Sequence, residues 1–228
     1  DYEAAKPLLE SVINSGKYQL VDCFHDNFNA DHNNNSEAIF QVQFSVNDGT
    51  PEGENGNYGD VLNYPYTGGP GECCGFNQPT QNLVNAFKVD PGTGLPLIDN
   101  FNDPANSLKN DMGISSADPY VPDTLTPVDP RLDWTVGRRG IPYLDWGLHP
   151  GRTWIRDQGY AGPYAPVKNV YEESQEGSLS TSVGWAQGPN ANNYSVIRYA
   201  DVLLWAAEVG VQTQSSVAGQ SAMELVNM

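Results

Sequence analysis

Residues 193–208 read NYSVIRYADVLLWAAE, and the reading of this stretch decides the fold. Ile197, Leu204 and Ala207, joined by Ala200 and Trp205, recur at helical spacing, which predicts a helix over Tyr194 to Val209 with Gly210 as its stop. A turn through Ser215 and Ser216 leads into a second helical pattern, Ala218 to Met228, and the two make a helical hairpin. At the other end of the chain Tyr2, Ala5, Leu8 or Leu9, Val12 and Ile13 share one face of a further helix that Gly16 stops, with nothing ahead of residue 1 to cap it. The last helix also ends without Gly, Asn or Pro beyond it. Both termini therefore read as cut, and the pattern predicts a piece of a longer protein.

Between these helices the chain changes character. Lys17 to Leu20 reads as a short extended exit and residues 25–37 as a polar loop. In Ala38 to Ser45 (AIFQVQFS) Phe40, Val42 and Phe44 alternate with Gln41 and Gln43, the signature of a strand with one apolar face. Residues 47–75 form a long Gly-rich loop carrying Tyr58, Tyr64 and Tyr66. Gln78 to Phe87 reads as a helix with Pro79 in its first turn and Leu83, Val84 and Phe87 as its stripe. Seven prolines break residues 90–130. A short strand follows at Leu132 to Gly137, with Leu132, Trp134 and Val136 on one side, and Trp134 and Trp205 are assigned to core. The expected fold class is mainly α with long irregular loops and a few short strands. One domain is expected over 1–228, with a scaffold helix at 1–16, a loop-rich ligand-binding region at 17–193 and the hairpin at 194–228.

Composition narrows the function. Eleven Lys+Arg against 28 Asp+Glu give a net charge of −17, which disfavours nucleic acid and anionic lipid, since both are held by neutralising phosphates. Charged residues make up only 17%, aromatics 11%, and there are five Trp and twelve Tyr. That is a folded, acidic, loop-heavy chain. No stretch of 18 or more apolar residues occurs.

Motifs for chemistry are sparse. The Asp31-Asn33-Asn35 spacing begins like a calcium loop but has Ser36 where Gly is needed and Val42 in place of Glu. Asp48, Glu52, Glu54 and Asp60 in loop 47–60 are suited either to a hard cation such as calcium or simply to solvation; no other cofactor is expected. Three cysteines, Cys23, Cys73 and Cys74, have no metal-ligand spacing to the three histidines. The adjacent Cys73 and Cys74 are open to two readings, a vicinal disulfide or two small buried thiols. No nucleophile elbow or phosphate-binding loop occurs, and His149 has no partner recognisable in the sequence. Carboxylates for a glycosidase could be drawn from Asp145, Asp157, Glu172, Glu173 or Glu176, but any acidic chain supplies such pairs. What remains is aromatic side chains in polar loops. Such rings either plug the core of a loop-rich domain or lie under the apolar face of a sugar, whose hydroxyls Asn, Asp, Gln and Arg can bond.

Four segments in order, NNSEAIFQVQFS (34–45), GFNQPTQNLVNAFKV (75–89), DPRLDWTVG (129–137) and NYSVIRYADVLLWAAE (193–208), resemble the SusD/RagB family of starch-utilisation-type outer-membrane glycan-binding lipoproteins. The resemblance implies tetratricopeptide-like helix pairs with a loop-rich ligand face and no chemistry on the ligand. It implies attachment to the outer membrane, extracellular face, through a lipid anchor absent from this chain, and capture of oligosaccharide or polysaccharide for a partner TonB-dependent transporter (SusC-like). Peptide capture is the alternative within the family, and a glycoside hydrolase the alternative outside it. Motif matching carries over only scaffold positions: Asp129, Pro130, Arg131, Arg198, Tyr199 and Asp201. Arg131 beside Asp129 and Asp133, and Arg198 with Asp201, read as bridges. The expected stacking platforms are Tyr64, Tyr66, Trp146, Trp154 and Trp185, with Asn63, Asp145 and Arg152 as hydroxyl-bonding neighbours.

Overall fold

The computed structural model describes residues 1–168, 170–184 and 186–228, with Glu52, Ala186 and Gln187 described in backbone only. The chain folds as two compact units. The first comprises Asp1–Asn27, Asp31–Gln43 and Asn193–Met228, and the second Phe28–Ala30 and Phe44–Asn192. The segment that follows the first helix, including the strand at 38–42, thus belongs with the terminal helices and not with the loops.

In the first unit, α1 (Tyr2–Ile13) packs against α4 (Tyr199–Thr213), and α5 (Ala222–Val226) packs on α4 in turn. Asp1 supplies the cap for α1, its carboxylate accepting from the Glu3 amide at 3.1 Å. Ala5, Leu9, Val12 and Ile13 face the core while Leu8 is exposed, so Leu9 carries the stripe. Residues 194–198 are not helical: they form β6 (Tyr194–Arg198), antiparallel to β1 (Ala38–Val42) with Gln41 opposite Ser195. The helix begins at Tyr199 and passes Gly210, ending at Gln214, which takes a left-handed conformation (φ 52°). Its buried face is Tyr199, Val202, Leu203, Ala206, Ala207, Val209 and Gly210, whereas Leu204 and Trp205 stand exposed, so Trp205 is not a core residue. In β1 the phase is also reversed, with Phe40 and Val42 outward and Ile39 packed on the helices. Gln41, Gln43, Asn34 and Asn193 bond one another instead, Asn193 being buried.

The junction of strand and helix is tied by a buried carboxylate. Glu37 accepts from Arg198 Nη1 at 2.8 Å, Asn27 Nδ2 at 3.0 Å and the Val21 amide at 3.3 Å. The Arg198 guanidinium therefore pairs with Glu37, not Asp201, whose carboxylate accepts from the Arg198 amide at 2.8 Å. Arg131 does pair with Asp129, but Asp133 pairs with Arg138.

The second unit holds α2 (Gln81–Ala86), β2 (Val136–Gly137), α3 (Gln158–Ala161), β3 (Ala165–Pro166), β4 (Ser180–Val183) and β5 (Ala186–Asn190), paired as β2–β3 and β4–β5. Thr80 caps α2, its hydroxyl accepting from the Leu83 amide, and Leu83 is exposed while Val84 is fully buried. A 3-10 turn at Pro130–Leu132 replaces the start of the expected strand at 132–137.

Loop aromatics build the core of this unit. Tyr64 meets Tyr171 edge-on at 5.6 Å between ring centroids, and Trp154 meets Tyr143 and His149 at 5.3 and 5.2 Å. The loops around them are held by aspartates in Asx turns. Asp48 accepts from the Thr50 amide and hydroxyl, Asp90 from the amides of Gly92 and Thr93, Asp123 from those of Leu125 and Thr126, and Asp129 from that of Arg131. Each of these carboxyls is held below its usual range. For Asp48 the main cause is the hydrogen bond from Ser45, for Asp90 that from Thr93 and for Asp129 that from Arg131, while at Asp123 the Thr126 donors outweigh an opposing burial.

His149 is fully enclosed: Nδ1 accepts from the Gly151 amide at 3.0 Å, and Nε2 is buried with no hydrogen-bond partner among the described residues. Burial, helped by the charge of Arg139, lowers its pKa to about 3. The folded value lies below the unfolded one near 6.5, so the unfolded chain takes up the proton first. Stability is complete above about pH 6.5 and falls as the pH drops toward 3. Urea midpoints measured across this range should decline, and His149→Gln should flatten the decline; an unchanged slope would rule the histidine out as its source.

Candidate functional site

The described residues of the second unit form an open cleft of about 540 Å³. Its wall is apolar, built from Trp134, Pro130, Pro142, Ile141 and Leu144, and Asp133, Asp145 and Glu172 also line it. Trp134 is 38% exposed because the 3-10 turn ahead of it breaks the alternation that would have placed it inside with Leu132 and Val136. It is therefore a cleft residue and not core. The carboxylates are positioned by the chain. Asp133 uses Oδ1 alone to accept from Arg138 Nε and Nη2, at 2.9 and 2.7 Å. Asp145 receives the amides of Glu173 and Ser174 at 2.5 and 2.9 Å, and Glu172 receives Asn29 Nδ2 at 3.1 Å. Partial burial works against the charge on Asp145, but the Ser174 and Glu173 donors outweigh it and hold the carboxyl below its usual range. An ionised carboxylate has about four acceptor sites, so such groups keep capacity for a ligand's hydroxyls. The arrangement is a flat aromatic wall beside fixed acceptors, and an ionised Asp145 cannot serve as a general acid.

The expected site residues are scattered by the fold. Tyr64 is fully buried, its hydroxyl donating to the Gly188 carbonyl and receiving Asn190 Nδ2, and Trp154 is 7% exposed within the aromatic core. Neither ring can meet a ligand, and both belong to packing. Trp146 is half-buried, its Nε1 donating to the Tyr171 carbonyl at 3.0 Å and its ring edge-on to Tyr171. Tyr66 is exposed, and its ring lies 5.5 Å from the Arg156 guanidinium, which also lies 4.4 Å from the Phe76 ring. Asn63 donates to the Gly59 carbonyl. Asp145 lines the large cleft, whereas Arg152 lines a separate one of about 330 Å³. Trp185 lies outside the described residues. Cys73 and Cys74 are joined as a vicinal disulfide, and Cys23 is free and exposed. In loop 47–60, offered above for calcium, Asp48 is occupied by Ser45, Thr50 and Asn55 and Asp60 by Asn57. Among the described residues no group of three or more His, Cys, Asp or Glu is placed to hold a metal ion.

Fold and cleft together define a class: one unit of helices from both ends of the chain, and a loop-rich unit with an open, aromatic-walled cleft. Residues 36–228 match the family model described as the SusD family. The chain belongs to the SusD family. A SusD-like protein of Bacteroides fragilis shares the fold at TM-score 0.61 and 22% identity over 100% of this chain, and a SusD superfamily protein of Bacteroides vulgatus does so at TM-score 0.50 and 22% identity over 93%. This chain covers 42% and 36% of those two proteins. No curated protein matches the sequence. No helix among the described residues is long and apolar enough to cross a membrane.

Proposed function

We propose that the protein captures oligosaccharide at the Trp134 cleft as part of surface nutrient uptake. The observation that carries this reading is the half-exposed Trp134 ring set beside Asp133, Asp145 and Glu172 in one open cleft. A pyranose laid on the indole buries its apolar face there, and its rim hydroxyls donate to the carboxylates. Three acids at this cleft suit a sugar ring that presents many hydroxyl donors. Membership of the SusD family supports the rest: a location on the outer membrane, extracellular face, with lipid attachment, tetratricopeptide-like pairing of the scaffold helices, and delivery to a TonB-dependent transporter of the SusC kind. The reading requires no cofactor and no turnover.

Calorimetric titration with a panel of oligosaccharides, neutral and acidic, tests it. Trp134→Ala should weaken binding of the accepted sugar by about 10- to 100-fold, the loss of one anchor aromatic, with the urea midpoint unchanged. Binding by the variant equal to wild type would sink the site, and selective binding of oligopeptides would favour the peptide-capturing alternative. Release of reducing ends would point instead to a hydrolase.

A further inference from the structure

We infer that the second cleft, lined by Arg152 and Arg156, is a subsite for a carboxylate carried by the glycan, as on a uronic acid residue. The chain has six arginines. Arg131, Arg138, Arg139 and Arg198 each stand within 4 Å of a carboxylate, at 2.5, 2.7, 3.7 and 2.8 Å. Among the described residues Arg152 and Arg156 have no such partner, although the protein carries 28 Asp and Glu, and both line the same cleft of about 330 Å³.

The two differ in a useful way. Arg156 is fixed: Nη1 donates to the Cys74 carbonyl at 2.9 Å and the guanidinium lies over Phe76 and Tyr66. Its charge is held in place without being neutralised. Arg152 is exposed and its guanidinium makes no hydrogen bond or ion pair among the described residues, so its fork is open to a planar anion. Asp157 also lines the cleft, but Oδ1 accepts from the Gly159 amide at 2.8 Å, and the side chains lining the cleft sum to one positive charge. In a chain of net charge −17 such a spot discriminates strongly, because a free anion is repelled by the rest of the surface. Only an anion delivered on a ligand with other contacts is retained. The inference rests on the glycan-binding reading for the class of ligand.

Titrations with an oligogalacturonate and with its methyl-esterified, neutral counterpart test it, using wild type, Arg152→Ala, Arg152→Lys and Trp134→Ala. Wild type should bind the acidic form more tightly. Arg152→Ala should weaken the acidic form at least 10-fold and leave the neutral form unchanged, and Arg152→Lys should restore part of the loss. Equal affinity of wild type and Arg152→Ala for the acidic form overturns the inference, as does binding of the neutral form alone, which leaves the glycan reading standing. Binding of neither form by wild type overturns the inference as stated, and the oligosaccharide panel then decides the glycan reading by itself. Binding of a glutamate-rich peptide with the same Arg152 dependence, in place of the oligogalacturonate, assigns the subsite to peptide and overturns the inference as stated.

Discussion

Gly188→Ala will unfold the loop-rich unit at denaturant concentrations where the wild type is intact. Gly188 has φ +90°, and a Cβ added there would stand 2.5 Å from Cε2 of Tyr64 and 3.1 Å from Cε1 of Tyr171. The Tyr64 ring cannot retreat. It is fully buried, its hydroxyl is bonded to the Gly188 carbonyl and to Asn190, and Gly71 presses on the same ring so closely that a Cβ there would overlap it. Overpacking and positive-φ strain add up to a loss of more than about 3 kcal/mol. Gly177→Ala is the matched control, since Gly177 has φ +73° but nothing within 4 Å, and it should cost only about 1 kcal/mol of backbone strain. Urea unfolding followed by tryptophan fluorescence separates the two. Equal midpoints would show that the Tyr64 ring is not confined.

Arg198→Ala should cost about 3–5 kcal/mol in the helical unit, the usual penalty for leaving a buried charge unpaired. The asymmetry of the pair makes this a sharp expectation. The Glu37 side chain is 4% exposed and that of Arg198 20%. Losing the arginine strands a carboxylate that water reaches poorly, whereas Glu37→Gln leaves a cation with partial access to solvent and keeps an acceptor for Asn27 and Val21. The double variant Arg198→Ala with Glu37→Gln should then be more stable than Arg198→Ala alone. If the double variant is the weaker of the two, the cost lies in lost packing of the arginine stem and not in the stranded charge.

The terminal helices were legible because an apolar stripe at helical spacing has both a period and a length. The start of α4 was not. Val196 and Ile197 continue the apolar pattern backwards, but they are β-branched and β1 offers a strand partner, so tertiary pairing takes the segment into β6. The face that packs is the one carrying Val202, Leu203, Ala206 and Val209, a second apolar stripe beside Leu204 and Trp205, which are left outward. Alternation in residues 38–44 shows that two faces differ without saying which one is covered; the helices cover Ile39, and an Asn/Gln network takes the glutamine side. In the loop-rich unit, ring chemistry alone gave no way to tell Tyr64 and Trp154, which plug the core, from Tyr66 and Trp134, which reach solvent. Trp134 went unrecognised because a Pro130-led turn interrupts the apparent strand. Arg152 was legible as a polar neighbour, but which arginines lack a carboxylate is set by the fold, which gives one to Arg131, Arg138, Arg139 and Arg198.

The Asx turns make charge and architecture separable in this protein. Asp48, Asp90, Asp123 and Asp129 hold their loops through side-chain oxygens that accept backbone amides, a task an asparagine Oδ1 performs with the same reach. Glutamate, one methylene longer, does not fit that ring. The acidity of the loops is thus written in the one acid whose amide analogue preserves the turn. At Asp48, Asp123 and Asp129 the second oxygen also accepts, which an amide nitrogen cannot do. Asp90, however, takes the Gly92 and Thr93 donors on Oδ1 alone. Asparagine there removes a charge and keeps the turn, and so measures how far the field of the molecule, as distinct from its contacts, governs what approaches it.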